Sequence, residues 1–397
     1  MPAARVYLDH AATTPVLLEV VDVVAAQMRL LGNPSSLHAS GRAARRSVEE
    51  AREQLAAALG ARPSEVVFTS GGTEADNLAV KGLYWARRRA DARRTRVLVS
   101  AVEHHAVLDP AQWLGEQQDA AVELLPVDRQ GRLDLSALEA ALAHESESVA
   151  LVSCMWANNE VGTVQPVAEV VELARRHGVP VHSDAVQALG QLPVDFAAAG
   201  LDAMTVSGHK VGGPTGVGAL LVRRDLDLVP VLHGGGQERD VRSGTVDAPA
   251  VAGFATAVTV AVEGRERRAE HLAALRDELV RGVLDAVPDA ILNGDPRQRL
   301  PGNAHVSFPG CEGDSLLLLL DARRIECSTG SACSAGVPQP SHALLAMGMP
   351  EQRARGSLRF SLGHTSTRTD VLTLVDAIGP VVERAREAGL VNVLRVG

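Results

Sequence analysis

Residues 207–220 read SGHKVGGPTGVGAL. A lysine follows a β-branched run, DAMTVS at 202–207, among serine, histidine and a Gly-Gly-Pro turn. No carboxylate stands beside Lys210 in the sequence to pair with it. The glycines permit tight turns and the close approach of a ligand. A lysine desolvated at a strand end sheds its proton and becomes the nucleophile that a Schiff base with an aldehyde cofactor requires. Taken alone, the segment equally suits a surface lysine in a loop. It does not suit a nucleotide loop: the GxxxxGK[ST] order is absent, and its glycines precede a strand instead of opening a helix.

Around this stretch the chain alternates short apolar runs with helical patterns. VVFT (66–69), VLVS (97–100), AVELLPV (121–127), VALVSCMW (149–156), VPVHSD (179–184), DAMTVS (202–207) and VGALLVR (217–223) read as strands. Helical patterns lie between most of them, which is the signature of a mainly parallel, doubly wound α/β sheet. DAMTVS and VGALLVR have no helix between them, so an antiparallel pairing is expected there. After residue 250 the texture changes to one long helical stretch over 248–287, the short strands NAHVSF, IECS and LRFSLG, and a last helix near 369–388. This predicts a smaller α+β domain. The expected boundaries are 15–260 for the large domain, with 1–14 and 261–397 forming the small one.

Further residues follow the predicted strands. In HSDAVQALG (182–190), Asp184 can hold a pyridinium nitrogen protonated or simply cap a helix, and Gln187 stands three residues on. In TSGGTEADNLAV (69–80), Gly72 and Thr73 open a helix, where free N–H groups and the positive dipole end suit a phosphate. His104 in EHHAVLD, Asn158 in WANNEVG and the RSGT stretch at 242–245 are additional candidates. The His104–His105 pair has no further ligand at metal spacing, so no metal site is expected. A Schiff-base lysine, a pyridinium carboxylate and a helix-start phosphate site on one sheet are the minimum kit for pyridoxal 5'-phosphate.

Composition narrows the function classes. The 397 residues are 46% hydrophobic and 22% charged, with a net charge of −9, so no basic surface points to direct nucleic-acid binding. The basic cluster at 86–96 reads as a solvated helix end and loop. The longest apolar run, LLLLL at 316–320, is far too short to span a membrane. MPAARVYLDHAATTP lacks the layout of a secretory signal. A cytoplasmic protein with reduced cysteines is the expectation.

The motifs in order resemble those of the cysteine desulfurases (NifS/IscS-like), pyridoxal-phosphate enzymes of the class V aminotransferase family. The series runs nearly end to end: YLDHAATTP (7–15), GNPSSLH (32–38), FTSGGTEADNLA (68–79), EHHAVL (103–108), NNEVG (158–162), HSDAVQALG, SGHKVGGPTGVGAL, HGGGQERDVRSGT (233–245), STGSAC (328–333) and SLRFSLG (357–363). The resemblance implies fold type I, with a mainly parallel seven-stranded sheet in the large domain. It implies that Lys210 forms the Schiff base, that Asp184 pairs with the pyridine nitrogen and that Gln187 meets the ring hydroxyl. His104 stacks on the ring and moves protons. Gly72, Thr73, Ser207 and His209 hold the phosphate, and Thr245 reaches the phosphate of the neighbouring copy in a homodimer. Arg359 clamps the carboxylate of L-cysteine, with Asn33 and Asn158 nearby. Cys333 receives the sulfur as a persulfide, leaving L-alanine, and passes it to an acceptor protein for iron–sulfur cluster assembly or tRNA thiolation. A selenocysteine lyase, another enzyme on this fold, or a sulfur-relay protein that kept the fold without catalysis are the rivals.

Four cysteines occur in the chain. The small residues around Cys333 imply a loop able to carry it. Cys327, six residues earlier, reads as a small residue at a strand end. Cys154 reads as a core filler and Cys311 as incidental in a turn.

Overall fold

The structure, a computed structural model, describes residues 5–330 and 340–396. Among the described residues there are twelve strands: β1 Val6–Tyr7, β2 Val66–Thr69, β3 Arg96–Ser100, β4 Ala121–Leu125, β5 Val149–Ser153, β6 Val181–Asp184, β7 Ala203–Ser207, β8 Gly218–Val222, β9 Ile291–Asn293, β10 Asn303–Ser307, β11 Ile325–Glu326 and β12 Ser357–Ser361. Seven of them form one sheet in the order β2-β8-β7-β6-β5-β3-β4. The β4-β3-β5-β6-β7 neighbours are parallel, and β8 is antiparallel to both β7 and β2. The pairing of DAMTVS with VGALLVR is therefore as expected; the second antiparallel pairing, β2 with β8, is an addition.

Successive strand residues point to opposite faces of this sheet. Phe68, Leu98, Val152 and Leu221 enter one core with helices Ala39–Ala58 and Ala248–Glu263. Val67, Val97, Val99 and Leu220 enter the other with helices Gly72–Ala90 and His105–Gln118. Burial on both faces explains why these strands read as continuous apolar runs instead of alternating ones. The loops after β2, β5, β6 and β7 gather at the carboxyl ends of the strands, where open α/β sheets place their ligands.

A third core is built from the C-terminal part. Strands β9, β10 and β12 form an antiparallel sheet, and β1 pairs in parallel with β11. Val6 and Leu8 from the N-terminus pack with Leu279, Phe308, Phe360 and Ile378 in that core. The N-terminal segment thus starts in the small-sheet region and runs across to the large sheet.

One expectation needs correction. The predicted helix over 248–287 is two helices, Ala248–Glu263 and Arg265–Ala286. Gly264 ends the first at φ −89, ψ 2, and the low helix propensity of glycine places the break there. The last helix, Arg368–Val396, begins as expected and runs further. Cys311 is buried in the small-sheet core.

Candidate active site

Lys210 closes a short 3-10 turn, Gly208–Lys210, directly after β7. Its Nζ donates to the carbonyls of Ala11 (2.6 Å) and Ala12 (2.7 Å). Burial, and then the Arg359 charge, lower its pKa to about 8, against the pull of Asp184 and Asp9. A good share of the amine is therefore neutral and nucleophilic near physiological pH. Lys210 faces a cavity of about 400 Å³.

Asp184, at the end of β6, lines the same cavity. It accepts a hydrogen bond from the Val186 N–H at 2.8 Å. Burial lifts its pKa to about 6, opposed by that N–H and by Lys210. Asp76 lines this cavity too and is buried, and burial followed by the Asp184 charge pushes its pKa well up. Two adjacent buried carboxyls cannot both ionise cheaply. Asp184 has an N–H donor and a nearby cation, so it carries the charge and Asp76 keeps its proton. His182 is fixed between Ser153 (3.0 Å) and Thr205 (3.1 Å), and burial holds it neutral at a pKa of about 3.

The far end of the cavity is the start of helix Gly72–Ala90. Gly72, Thr73, Ser207 and His209 line it. Gly71 has φ +152, and a Cβ on Gly72 would stand 3.2 Å from Val186 Cγ2, so both positions favour glycine. The helix start is braced by Arg242, which donates to Glu74 Oε1 at 2.7 Å. Burial, then Lys210, lowers the His209 pKa to about 4.

His104 caps helix His105–Gln118, its Nδ1 accepting from the Ala106 N–H at 3.1 Å. That bond leaves the ring proton on Nε2. The residue lines the cavity and is exposed there, yet the protein around its ring desolvates it, and this, then Lys210, lowers its pKa to about 4. Arg359 on β12 donates from Nη2 to Asp9 (2.8 Å) and from Nη1 to the Asn159 carbonyl (3.0 Å). Gln187 lines the cavity and donates to the Ala11 carbonyl at 2.9 Å.

Three candidates lie elsewhere. Asn158 does not line the cavity: its amide donates to the Val102 carbonyl and accepts from the Glu160 and Val161 N–H groups, and Asn159 takes the cavity position. Asn33 is exposed and accepts from the Ser35 N–H within its own turn. Thr245 is exposed, off this cavity. Cys333 lies outside the described residues, so no contact is assigned to it. Cys327 is buried, and burial raises its pKa to about 12, which keeps its thiol protonated and unreactive at neutral pH. Cys154 is buried in the large-sheet core.

Sequence reasoning missed the N-terminal strap, residues 9–14. It supplies the Lys210 acceptors, the Arg359 partner Asp9, and Thr13, whose Oγ1 is 3.2 Å from His209 Nδ1. YLDHAATTP marked the segment, but backbone acceptors have no side-chain signal. Glu160, also on the cavity wall, was equally unmarked within NNEVG.

Pyridoxal phosphate carries an aldehyde, a ring nitrogen, a ring hydroxyl and a phosphate. The cavity opposes these with a partly neutral amine, a buried carboxylate, an amide and a glycine-opened helix start, so the donor set fits the group.

Comparison with known proteins agrees with pyridoxal phosphate as the cofactor. Residues 6–374 match the family model described as aminotransferase class-V. An "IscS-like cysteine desulfurase" of Mycobacterium tuberculosis is 59% identical over 97% of this chain and 98% of its own. "Cysteine desulfurase IscS" of Dictyoglomus turgidum is 41% identical over 96% of this chain and 95% of its own. Among solved structures, a "NifS-like protein" superposes with a TM-score of 0.89 at 35% identity, over 96% of this chain and all (100%) of that one. "SspA in complex with cysteine" gives 0.78 at 34% identity, over 90% of this chain and 99% of that one.

Proposed function

Because the chain belongs to the aminotransferase class-V family and is a pyridoxal-phosphate-dependent cysteine desulfurase, we propose that Lys210 holds the cofactor and that Cys333 takes the sulfur of L-cysteine. The observation that carries the reading is Lys210 with its pKa lowered to about 8, in one cavity with Asp184, the Gly72–Thr73 helix start and Arg359. We divide the chain at 15–260 and at 1–14 with 261–397, in keeping with the separate small-sheet core that includes Val6 and Leu8.

When bound, pyridoxal phosphate supplies an electron sink that lets the substrate's α-proton leave. Thr73, Ser207 and His209 with the helix N–H groups take the phosphate. Asp184 keeps a proton on the ring nitrogen, and the adjacent protonated Asp76 leaves Asp184 as the charged partner. Gln187 meets the ring hydroxyl. Arg359 orients the substrate through its carboxylate. The Lys210 amine would hold the α-proton, which a pKa of about 8 allows in either direction. His104 offers the proton on Nε2. The Cys333 thiolate forms an S–S bond with the substrate sulfur as the substrate C–S bond breaks. The electron pair stays on carbon, which takes up a proton and leaves as L-alanine.

The enzyme passes the persulfide to an acceptor protein, serving iron–sulfur cluster assembly or tRNA thiolation in the cytoplasm. It acts as a homodimer in which Thr245 completes the phosphate site of the neighbouring copy. The exposed position of Thr245 supports this.

Two variants test the assignment. Lys210→Ala is expected to abolish turnover and to lose borohydride-reducible cofactor; full activity in it would end the reading. Cys333→Ser is expected to keep the cofactor's absorption and release no sulfide from cysteine. Persulfide found by mass spectrometry on Cys327 in the wild type would show that the wrong thiol was chosen.

A further inference from the structure

Glu160 forms part of the cavity wall that also holds Arg359. Only 3% of the residue is exposed, and among the described residues its Oε2 has no hydrogen-bond partner. Ser341 lies close enough to the carboxyl to favour its charged form. Gly330 leaves space in front of it: a Cβ there would stand 3.6 Å from Oε2 and 3.2 Å from His305 Nε2. Arg359 spends Nη2 on Asp9 and Nη1 on the Asn159 carbonyl. A buried carboxyl oxygen left without a partner is costly unless a ligand meets it.

We infer that Glu160 is a second contact for the substrate carboxylate: in its acid form it donates an O–H to the group that Arg359 clamps. The inference rests on the reading of Arg359 as the carboxylate clamp. The chemistry is that of a carboxylic acid hydrogen-bonded to a carboxylate, a short, charge-assisted pair. The ionised form would instead set two carboxylates against each other.

The electrostatics agree with the geometry. Burial lifts the Glu160 pKa to about 7, opposed by Ser341, Arg359 and His105. The acid form thus dominates below about pH 7 and is lost above it. The other charged or titratable groups at this end are Asp9 on the N-terminal strap, Lys210 after β7, His305 on β10 and His342 on helix His342–Ala346. Burial, then Arg359, lowers the His305 pKa to about 3, so that ring stays neutral throughout. Lys210, with a pKa of about 8, titrates in the same range and must be cancelled by comparison.

The test is equilibrium binding of L-alanine to the holoenzyme across pH 6.5 to 8.5, followed by the cofactor's visible absorption. Glu160→Gln keeps a neutral donor at every pH and leaves Lys210 in place. Its affinity is expected to match the wild type at pH 6.5. By pH 8.5 it should bind about ten-fold more tightly than the wild type, the weight of one charge-assisted hydrogen bond. Glu160→Ala serves if the amide does not fold. It should bind about ten-fold more weakly than the wild type at pH 6.5, and the gap should close by pH 8.5. A wild-type-to-variant ratio that stays constant across this range overturns the inference. Arg359→Lys separates the two readings: wild-type affinity in that variant sinks the clamp itself, whatever Glu160 does.

Discussion

At the scale of single residues, the site works by withholding water. Lys210, His104 and His209 all have lowered pKa values, and in each burial is the largest cause. The carboxyls Asp184 and Asp76 move the other way for the same reason. A pH dependence follows for Lys210. Its pKa falls from 10.5 to about 8, and the neutral amine is the nucleophile. The rate at which cofactor-free enzyme captures pyridoxal phosphate is therefore expected to rise roughly ten-fold per pH unit below 8 and to level above it. Stopped-flow absorption checks this; a rise continuing toward pH 10 would mean that Lys210 is not desolvated. The identity of Lys210, Asp184, His104 and Arg359 as the candidates was legible in their motifs. Their pKa values were not, because burial is a property of everything packed around them.

At the scale of elements, β2 shows how an edge is protected. Among the described residues it pairs only with β8, and its other side is covered by side chains. Glu238 accepts from the Phe68 N–H at 2.9 Å, and Arg52 and Arg239 donate to the Val66 carbonyl. Arg52 and Glu238 form a buried bidentate pair, 2.7 and 2.8 Å, that ties the 233–245 segment to this edge. Breaking one partner of such a pair leaves an uncompensated buried charge. Arg52→Ala is expected to cost about 3–5 kcal/mol of stability, measured by urea unfolding of the cofactor-free protein. A loss within error of zero would show that the pair is solvated. The seven strands of the large sheet were legible because each is a short apolar run, whereas β1 and β9, two and three residues long, were not read. The break at Gly264 was missed because an isolated glycine is often tolerated inside a helical pattern.

At the scale of the whole molecule, a stretch near the N-terminus stands out. Leu18, Met28, Leu30, Leu31 and Leu37 are exposed, Leu31 at 88% and Leu37 at 87%. Large apolar side chains concentrated this way mark an interaction surface, and the proposed homodimer places it between two copies. Leu18→Glu with Leu31→Glu is expected to yield a folded monomer in sedimentation, with weaker cofactor retention because Thr245 of the neighbouring copy is gone. A variant that still sediments as the wild type does would remove this face from the interface.

The sequence by itself determined the strands of the large sheet, the family and the residues proposed to meet the cofactor, because strand-end motifs depend on local chain geometry that short stretches encode. Only the tertiary structure decided that residues 9–14 supply the acceptors of Lys210 and the partner of Arg359, that Asn158 turns away while Asn159 and Glu160 face the cavity, and that Cys327 is shut from water. Those outcomes depend on which distant segments pack together, and burial and hydrogen-bond partners across that distance leave no trace in local sequence.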